Sequence, residues 1–381
     1  MITTDAGGAV MHVVIVGGGI AGTAAALALD KAGFSVSVHE AHADSGADIG
    51  AFLTLADNGM RALREIGVVP QAGFPLTALR LTGSSGEELA VSALGGAYRC
   101  VRRAELCELL QAEVRSRGLR IEHGARFVSA EQDGDRVVAR FADGREAAGD
   151  LLIGADGLNS AVRALLDPVP KRYAGQQVFY GYSDRAEPPH EPEHIEMVRG
   201  SGSSFGYAVS PEGRTYWFAR LAAPPLDGAE TAAAMRTRLL AALRPDATPT
   251  ADIVAATDDV LVTNAHDLVP TPRWRSGRVL LIGDAAHAAS PATGQGASMA
   301  FEDAVVLAKS LRDNLGLDGY ERLRRPRVER NIVRSAQLTA ALAPDHVERG
   351  DEVERLRLRH GDVPAEDDPL GLLDWDAELP S

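Results

Sequence analysis

The sequence predicts an α/β protein in which a Rossmann-like domain is interleaved with a smaller, mainly antiparallel β-sheet domain. Three observations carry that expectation. Short apolar runs at 13–16, 151–153 and 279–282 each end in a glycine-bearing turn and pass into helical pattern, as buried parallel strands do. The first of these turns reads Gly17-Gly18-Gly19-Ile20-Ala21-Gly22. Between 173 and 264 the texture changes to short, aromatic-bearing segments punctuated by turns, the pattern of an antiparallel sheet.

At 381 residues the chain exceeds one typical domain. The crossings assign 11–72, 98–170 and 273–343 to the Rossmann-like domain and 73–97 and 171–272 to the β domain. The stretch 344–381 reads as a C-terminal helical segment. A net charge of -14, from 39 basic and 53 acidic residues, argues against nucleic acid or an anionic membrane surface as partner. Cys100 and Cys107 show neither metal nor redox spacing and read as buried thiols in a reducing compartment. The apolar run 13–29 is too short and too glycine-rich to span a membrane. Residues 1–10 read as a disordered leader without basic residues, and the expected location is cytoplasmic.

Taken in order, the strand 13–16 leads through the glycine turn into an Ala/Leu-rich helix that Gly33 stops near residue 32. A second apolar strand at 35–39 ends in Glu40. Together they form a dinucleotide fingerprint. Gly17 makes the turn, Gly19 admits a pyrophosphate to the backbone, Gly22 permits close helix packing, and Glu40 can accept hydrogen bonds from a ribose. An acid there suits an unphosphorylated adenosine ribose, so FAD or NAD fits better than NADP.

A helix is expected at 60–66, ended by Gly67, and a hairpin over 76–91 leaves the first domain. Arg103-Ala104-Glu105-Leu106 opens a helix with Leu106, Leu109, Leu110 and Val114 on one face. Strands follow at 121–128, 137–141 and 146–152, the last two joined at Asp143-Gly144. The second crossing runs through Asp156-Gly157 to Ser160 and Arg163, both read as structural. In the β domain, which carries one expected helix at 230–243, Tyr180, Tyr182, Phe205, Tyr207 and Trp217 are candidates for a ligand-facing surface. Strand alternation would equally put half of them in a core.

The third crossing, Ile282-Gly283-Asp284-Ala285-Ala286-His287, continues through Pro291 and Gly294-Gln295-Gly296 into a helix at 297–311. Ala300, Ala304, Leu307, Ala308 and Leu311 make its packing stripe. Free N–H groups at such a helix start favour negative charge. His287 reads as a hydrogen-bonding residue more readily than an acid or base, and Glu302 and Asp303, beyond the first turn, read as structural. A charged helix at 320–342 follows, and the Leu372-Leu373-Asp374-Trp375 cluster is expected to pack back as a short helix.

These motifs, in this order, resemble the single-component FAD-dependent aromatic hydroxylases of the p-hydroxybenzoate hydroxylase and salicylate hydroxylase type. The likeness runs from about residue 12 to about residue 340 and includes Asn58-Gly59 and 320–327. It implies a p-hydroxybenzoate hydroxylase-like fold with a discontinuous FAD-binding domain and a substrate-binding sheet. Gly17, Gly19 and Gly22 would hold the FAD pyrophosphate, Glu40 the adenosine ribose, Arg103 the nearby FAD backbone and Asp284 the ribityl chain. Asp156 would sit at the joint between FAD and nicotinamide binding, with Pro291, Gly294, Gln295 and Gly296 against the isoalloxazine.

The activity so implied is hydroxylation of a small or mid-sized aromatic or polyketide-like substrate, with NADPH or NADH and O2, through a C4a-hydroperoxyflavin. No metal and no nucleophilic triad are required, and no side chain is assigned a catalytic role. The expected partners are a small molecule and O2, in a monomer or homodimer. One departure stands out: 40–60 contains no Lys or Arg where many relatives carry an Arg, which predicts looser FAD binding.

Rival flavin chemistries lack their marks. None of Trp217, Trp274 and Trp375 lies in a Trp-x-Trp-x-Ile-Pro stretch, a second nicotinamide fingerprint is missing, and so is a redox Cys pair. Two alternatives remain: epoxidation or oxygen insertion on a non-aromatic intermediate, and a flavin-binding protein without turnover.

Overall fold

The structure, a computed structural model, describes residues 10–43, 51–226, 228, 230–269, 272–342 and 371–380. Residues 1–9 of the leader expected at 1–10, 344–370 and 381 of the expected C-terminal segment, and 44–50 of the stretch without Lys or Arg lie outside the described residues. Helices α1 (Ile20–Lys31), α2 (Asp57–Glu65), α3 (Arg103–Ser116), α4 (Ala161–Leu166), α5 (Ala232–Leu243), α6 (Thr250–Ala255), α7 (Asp284–His287), α8 (Gly296–Arg312) and α9 (Gly316–Leu342) follow in chain order.

The fold is mixed α/β, and its Rossmann-like half is built on a six-stranded sheet. The strands run in the order Arg275–Ser276, Val279–Leu281, Leu151–Gly154, His12–Val16, Ser35–His39, Arg120–Glu122. All are parallel except Arg275–Ser276, which pairs antiparallel at one edge. The three apolar runs seen in the sequence are its centre, with Val13 to Val16, Leu151 to Ile153 and Val279 to Leu281 at most 3 % exposed. Burial on both faces explains why these strands read as unbroken apolar runs and not as alternation.

Beside it lies a seven-stranded sheet ordered Val260–Asp267, Arg172–Ser183, Thr215–Ala222, Ser203–Val209, His194–Arg199, Ala78–Gly83, Glu88–Ala93. The hairpin expected over 76–91 supplies its last two strands, and every neighbouring pair is antiparallel except His194–Arg199 with Ala78–Gly83. One face is covered by α5 and α6, which bring Leu239, Leu243, Ile253 and Val254 onto Phe179, Phe205 and Trp217. The other packs against the small sheet of Phe52–Leu55, Arg99–Arg102 and Phe74–Pro75.

Several elements differ from expectation. The single strand expected at 121–128 is two, because Gly124 turns the chain with φ +69 between Arg120–Glu122 and Phe127–Asp133. The strand expected at 146–152 also splits: Glu146–Gly149 joins a three-stranded sheet, and Leu151–Gly154 the central one. α2 begins at Asp57, three residues early, with that acid in its first turn, where the helix dipole favours it. α6 is a second helix in the β domain, too short for a helical period to show. Residues 371–380 form turns and no helix, although Leu372, Leu373 and Trp375 do pack back into the core.

Candidate active site

The three crossings meet at the C-terminal ends of the parallel strands, where open α/β sheets bind their ligands. Gly17 has φ +107, and a β-carbon there would lie 2.5 Å from the Ala155 carbonyl oxygen, so the first and second turns touch. A β-carbon at Gly22 would come within 1.9 Å of the Gly17 carbonyl oxygen, which is the close packing that residue exists to permit. Gly19 is the opposite case. Nothing lies within 4 Å of its would-be β-carbon, so its backbone is open to a ligand. Gly19 also caps α1 with no side-chain bond, and α1 has no acid in its first turn. Its positive end is therefore left for an outside anion.

Glu40 is buried beside this loop, accepting from the Gly18 N–H at 2.6 Å and the His42 N–H at 2.8 Å. Gln111 braces the loop from α3, donating to the Gly18 carbonyl at 3.0 Å. Arg103 starts α3, half-exposed, with its backbone N–H on the Ala51 carbonyl at 3.1 Å. The Asp156 carboxylate turns inward onto α4. It accepts from the Ser160 hydroxyl and from the Ala161 and Val162 N–H groups at 2.7 and 3.2 Å, and burial pushes its pKa up. Arg163 then ties α4 to α7 through the Ala285 carbonyl at 3.2 Å.

At the third crossing Gly283 takes φ +56, and a β-carbon there would meet the Ala21 methyl at 2.7 Å, so this turn docks on the start of α1. Asp284 is exposed while Ala285, Ala286 and His287 behind it are buried. The chain then makes a 3-10 turn over Pro291–Thr293, reverses at Gly294 with φ +66, and enters α8 at Gln295 and Gly296. As in α1, no side chain caps α8 and no acid stands in its first turn.

Behind both turns runs one buried ionic network. Asp303 accepts from the Gly283 N–H at 3.0 Å, from His287 Nε2 at 2.5 Å and from Arg324 Nε at 2.8 Å. Burial opposes the charge on Asp303, but His287 and Arg324 outweigh it and hold the carboxyl at about 2. Glu302 is bound by Arg324 and by Arg327, whose Nη2 lies at 2.6 Å. Burial again works against that charge, and the two guanidiniums keep the pKa below its ordinary value. Asn58 Nδ2 donates both to Glu302 at 2.6 Å and to the Gln295 side-chain oxygen at 3.1 Å. The network thus reaches from the Gly283-Asp284 turn to the Gln295 loop. His287, fixed on Asp303 and away from the cavity, is a structural member of it.

Between Pro291–Gln295 and the seven-stranded sheet lies a cavity of about 380 Å³. The loop and the strand Phe52–Leu55 form one wall, while Leu79, Ile195, Met197, Phe218, Val178 and Arg220 form the sheet wall. Tyr180 and Tyr182 share the strand face of Val178, and Tyr182 packs there against Tyr216 at 4.9 Å between ring centres. Phe205, Tyr207 and Trp217 do not line the cavity. They point to the opposite, helix-covered face, where Phe205 and Trp217 stack at 5.4 Å, Trp217 Nε1 donates to Thr257 at 2.8 Å and the Tyr207 hydroxyl to Pro189 at 2.6 Å.

Sequence reasoning missed Arg220 and gave Asn58 no role. The available signal for Arg220 was a lone cation two positions after Phe218 in the apolar strand Thr215–Ala222. Cys100 and Cys107 are buried free thiols, both pushed up by burial. Among the described residues no His, Cys, Asp and Glu group is arranged to hold a metal, and no helix is long and apolar enough to cross a membrane.

Two uncapped helix starts, an open Gly19 backbone, a buried acid at Glu40 and an exposed acid at Asp284 fit an extended dinucleotide whose middle is anionic and whose sugars donate hydrogen bonds. Comparison with known proteins agrees. Residues 10–335 match the family described as FAD binding domain. Aurachin C monooxygenase/isomerase of Stigmatella aurantiaca is 36% identical over 315 residues, covering 79% of this chain and 80% of its own. FAD-dependent urate hydroxylase of Klebsiella pneumoniae subsp. pneumoniae is 32% identical over 349 residues, covering 86% and 89%. The crystal structure of Klebsiella pneumoniae HpxO complexed with FAD and uric acid matches with a TM-score of 0.80 at 29% identity, covering 96% of each chain. The chain belongs to the FAD binding domain family, and within it to the FAD-dependent monooxygenases.

Proposed function

We propose that the protein hydroxylates a small or mid-sized aromatic substrate, taking electrons from NADH or NADPH and oxygen from O2. The observation that supports this reading is the cavity of about 380 Å³ with Pro291–Gln295 as one wall and an apolar sheet as the other. A flat ring held there lies against the loop assigned to the isoalloxazine. The relative named for urate, a ring compound, supports the same reading.

When bound, FAD supplies the redox chemistry: hydride acceptance from the nicotinamide and transfer of one oxygen atom from O2. The chain supplies position and field. Gly17, Gly19 and Gly22 bring the α1 start to the pyrophosphate, Glu40 takes the adenosine ribose, Arg103 stands by the FAD backbone and Asp284 takes the ribityl hydroxyls. The uncapped first turn of α8 would favour negative charge on a ring held against the loop, a contribution of up to about 2 kcal/mol in partly buried geometry. Asn58 holds the Gln295 side chain at the edge of that loop. Phe52, Leu53, Leu76, Leu79, Met197 and Phe218 keep water from the reacting atoms.

The test is spectroscopic. The yellow protein should bleach anaerobically with NADH or NADPH, and O2 uptake should rise when a ring substrate is added and yield its hydroxylated product. Colour that persists with both nicotinamides would favour the binding-only alternative, and turnover confined to alkenes would favour epoxidation.

A further inference from the structure

Arg220 stands in the sheet wall of the cavity, opposite Val178 on one neighbouring strand and Ser204 on the other. It is only 8 % exposed. Its Nη2 donates to the Ser204 hydroxyl at 3.1 Å, while Nε and Nη1 meet no acceptor among the described residues. Burial is the sole influence on its charge, lowering its pKa to about 10, so it stays cationic at neutral pH with no carboxylate beside it. The other deeply buried arginines are placed differently: Arg324 and Arg327 are paired with Glu302 and Asp303, and both Nη atoms of Arg163 donate to backbone carbonyls. A buried guanidinium with idle donors is costly unless a ligand completes it. The rest of the sheet wall, Leu79, Val178, Ile195, Met197 and Phe218, is apolar, so no other side chain of that wall competes for a negative charge.

We propose that Arg220 anchors an oxygen anion of the substrate, a carboxylate or an ionised ring hydroxyl, so that the cavity selects planar rings that are anionic at neutral pH. This rests on the reading that the cavity holds the substrate, and it narrows the substrate class. Charge-assisted donors in a water-poor wall discriminate strongly against a neutral isostere, because that isostere leaves them unpaired. Ser204 keeps the guanidinium in place by its one bond, leaving Nε and Nη1 for the ligand. The apolar neighbours Val178, Phe218 and Met197 grip the ring and are indifferent to its charge.

The experiment titrates FAD-loaded protein with matched pairs, 2-naphthoate against 2-naphthamide and 4-nitrophenolate against 4-nitroanisole, following the flavin absorbance at equilibrium. In the wild type each anion should bind at least about ten-fold more tightly than its neutral partner, the size of one charge-assisted hydrogen bond. Arg220→Gln should bring the ratio to within about two-fold while leaving FAD content and the affinity for the neutral member unchanged. Arg220→Lys should restore part of the ratio, since it restores the charge but not the planar fork. Anions that bind no better than their partners in the wild type, whether both are tight or both absent, overturn the proposal, and so does a ratio that survives Arg220→Gln. Bleaching by NADH or NADPH in the same samples tests the functional reading separately, and can succeed where Arg220 fails.

Discussion

At the start of α7 the Asp284 carboxylate stands in the open, while Ala285, Ala286 and His287 behind it are buried. Asp284→Ala should weaken FAD retention by roughly 1.5–3 kcal/mol, the range for a hydrogen bond to a charged group. Equilibrium dialysis against free FAD measures it, and unchanged affinity would remove the ribityl assignment. Gly19 gives a cleaner separation of binding from folding. Its φ of -79 suits any residue and its would-be β-carbon meets nothing, so Gly19→Ala should stay folded, losing about 1 kcal/mol at the N-cap of α1. It should nonetheless hold FAD poorly, because the methyl occupies the approach to the pyrophosphate; full flavin content in the purified variant would refute that. Glycines such as these are legible in a sequence, since their spacing states a backbone requirement. Arg220 is not, because a residue on a strand announces its parity without saying which face is the cavity.

At the scale of elements, α8 and α9 are held by charges with almost no access to water. Asp303→Asn breaks one member of the cluster and leaves Arg324 undercompensated, at a cost of roughly 3–5 kcal/mol. The same carboxyl predicts a pH dependence. Held at about 2 against its ordinary 3.8, it gives stability that is fully present above about pH 4 and is lost as pH falls toward 2. Urea denaturation across that window should show a steep loss in wild type and a shallower one in Asp303→Asn; equal slopes would mean that Asp303 carries no such linkage. The parallel strands were legible because burial on both faces leaves unbroken apolar runs. The splits at Gly124 and at Asp150 were not, since the residues on either side keep the same texture while belonging to different sheets. Alternation likewise said that half of Tyr180, Tyr182, Phe205, Tyr207 and Trp217 would face a core, but nothing local could say that α5 and α6 would cover the face of Phe205, Tyr207 and Trp217.

Across the whole molecule, the C-terminal residues are tied to the helix that starts at the cavity loop. Lys309 of α8 is fully buried and donates to the Leu372 carbonyl at 3.0 Å and to the Asp374 carbonyl. Trp375 lies under the Lys31 ammonium at 4.2 Å from its ring centre, and its carbonyl accepts from Arg312 at 2.7 Å. A chain cut after residue 370 should therefore lose roughly 3–5 kcal/mol in thermal or urea unfolding, from the buried Leu372, Leu373 and Trp375 side chains together with the carbonyls that Lys309 and Arg312 hold. A truncated protein as stable as the full chain would show the tail to be ornamental. In genetic terms, a premature stop at codons 371–375 would remove some or all of these contacts. Nonsense changes there would be scored as loss of enzyme activity, although none of the residues they remove lines the cavity where the reaction is placed.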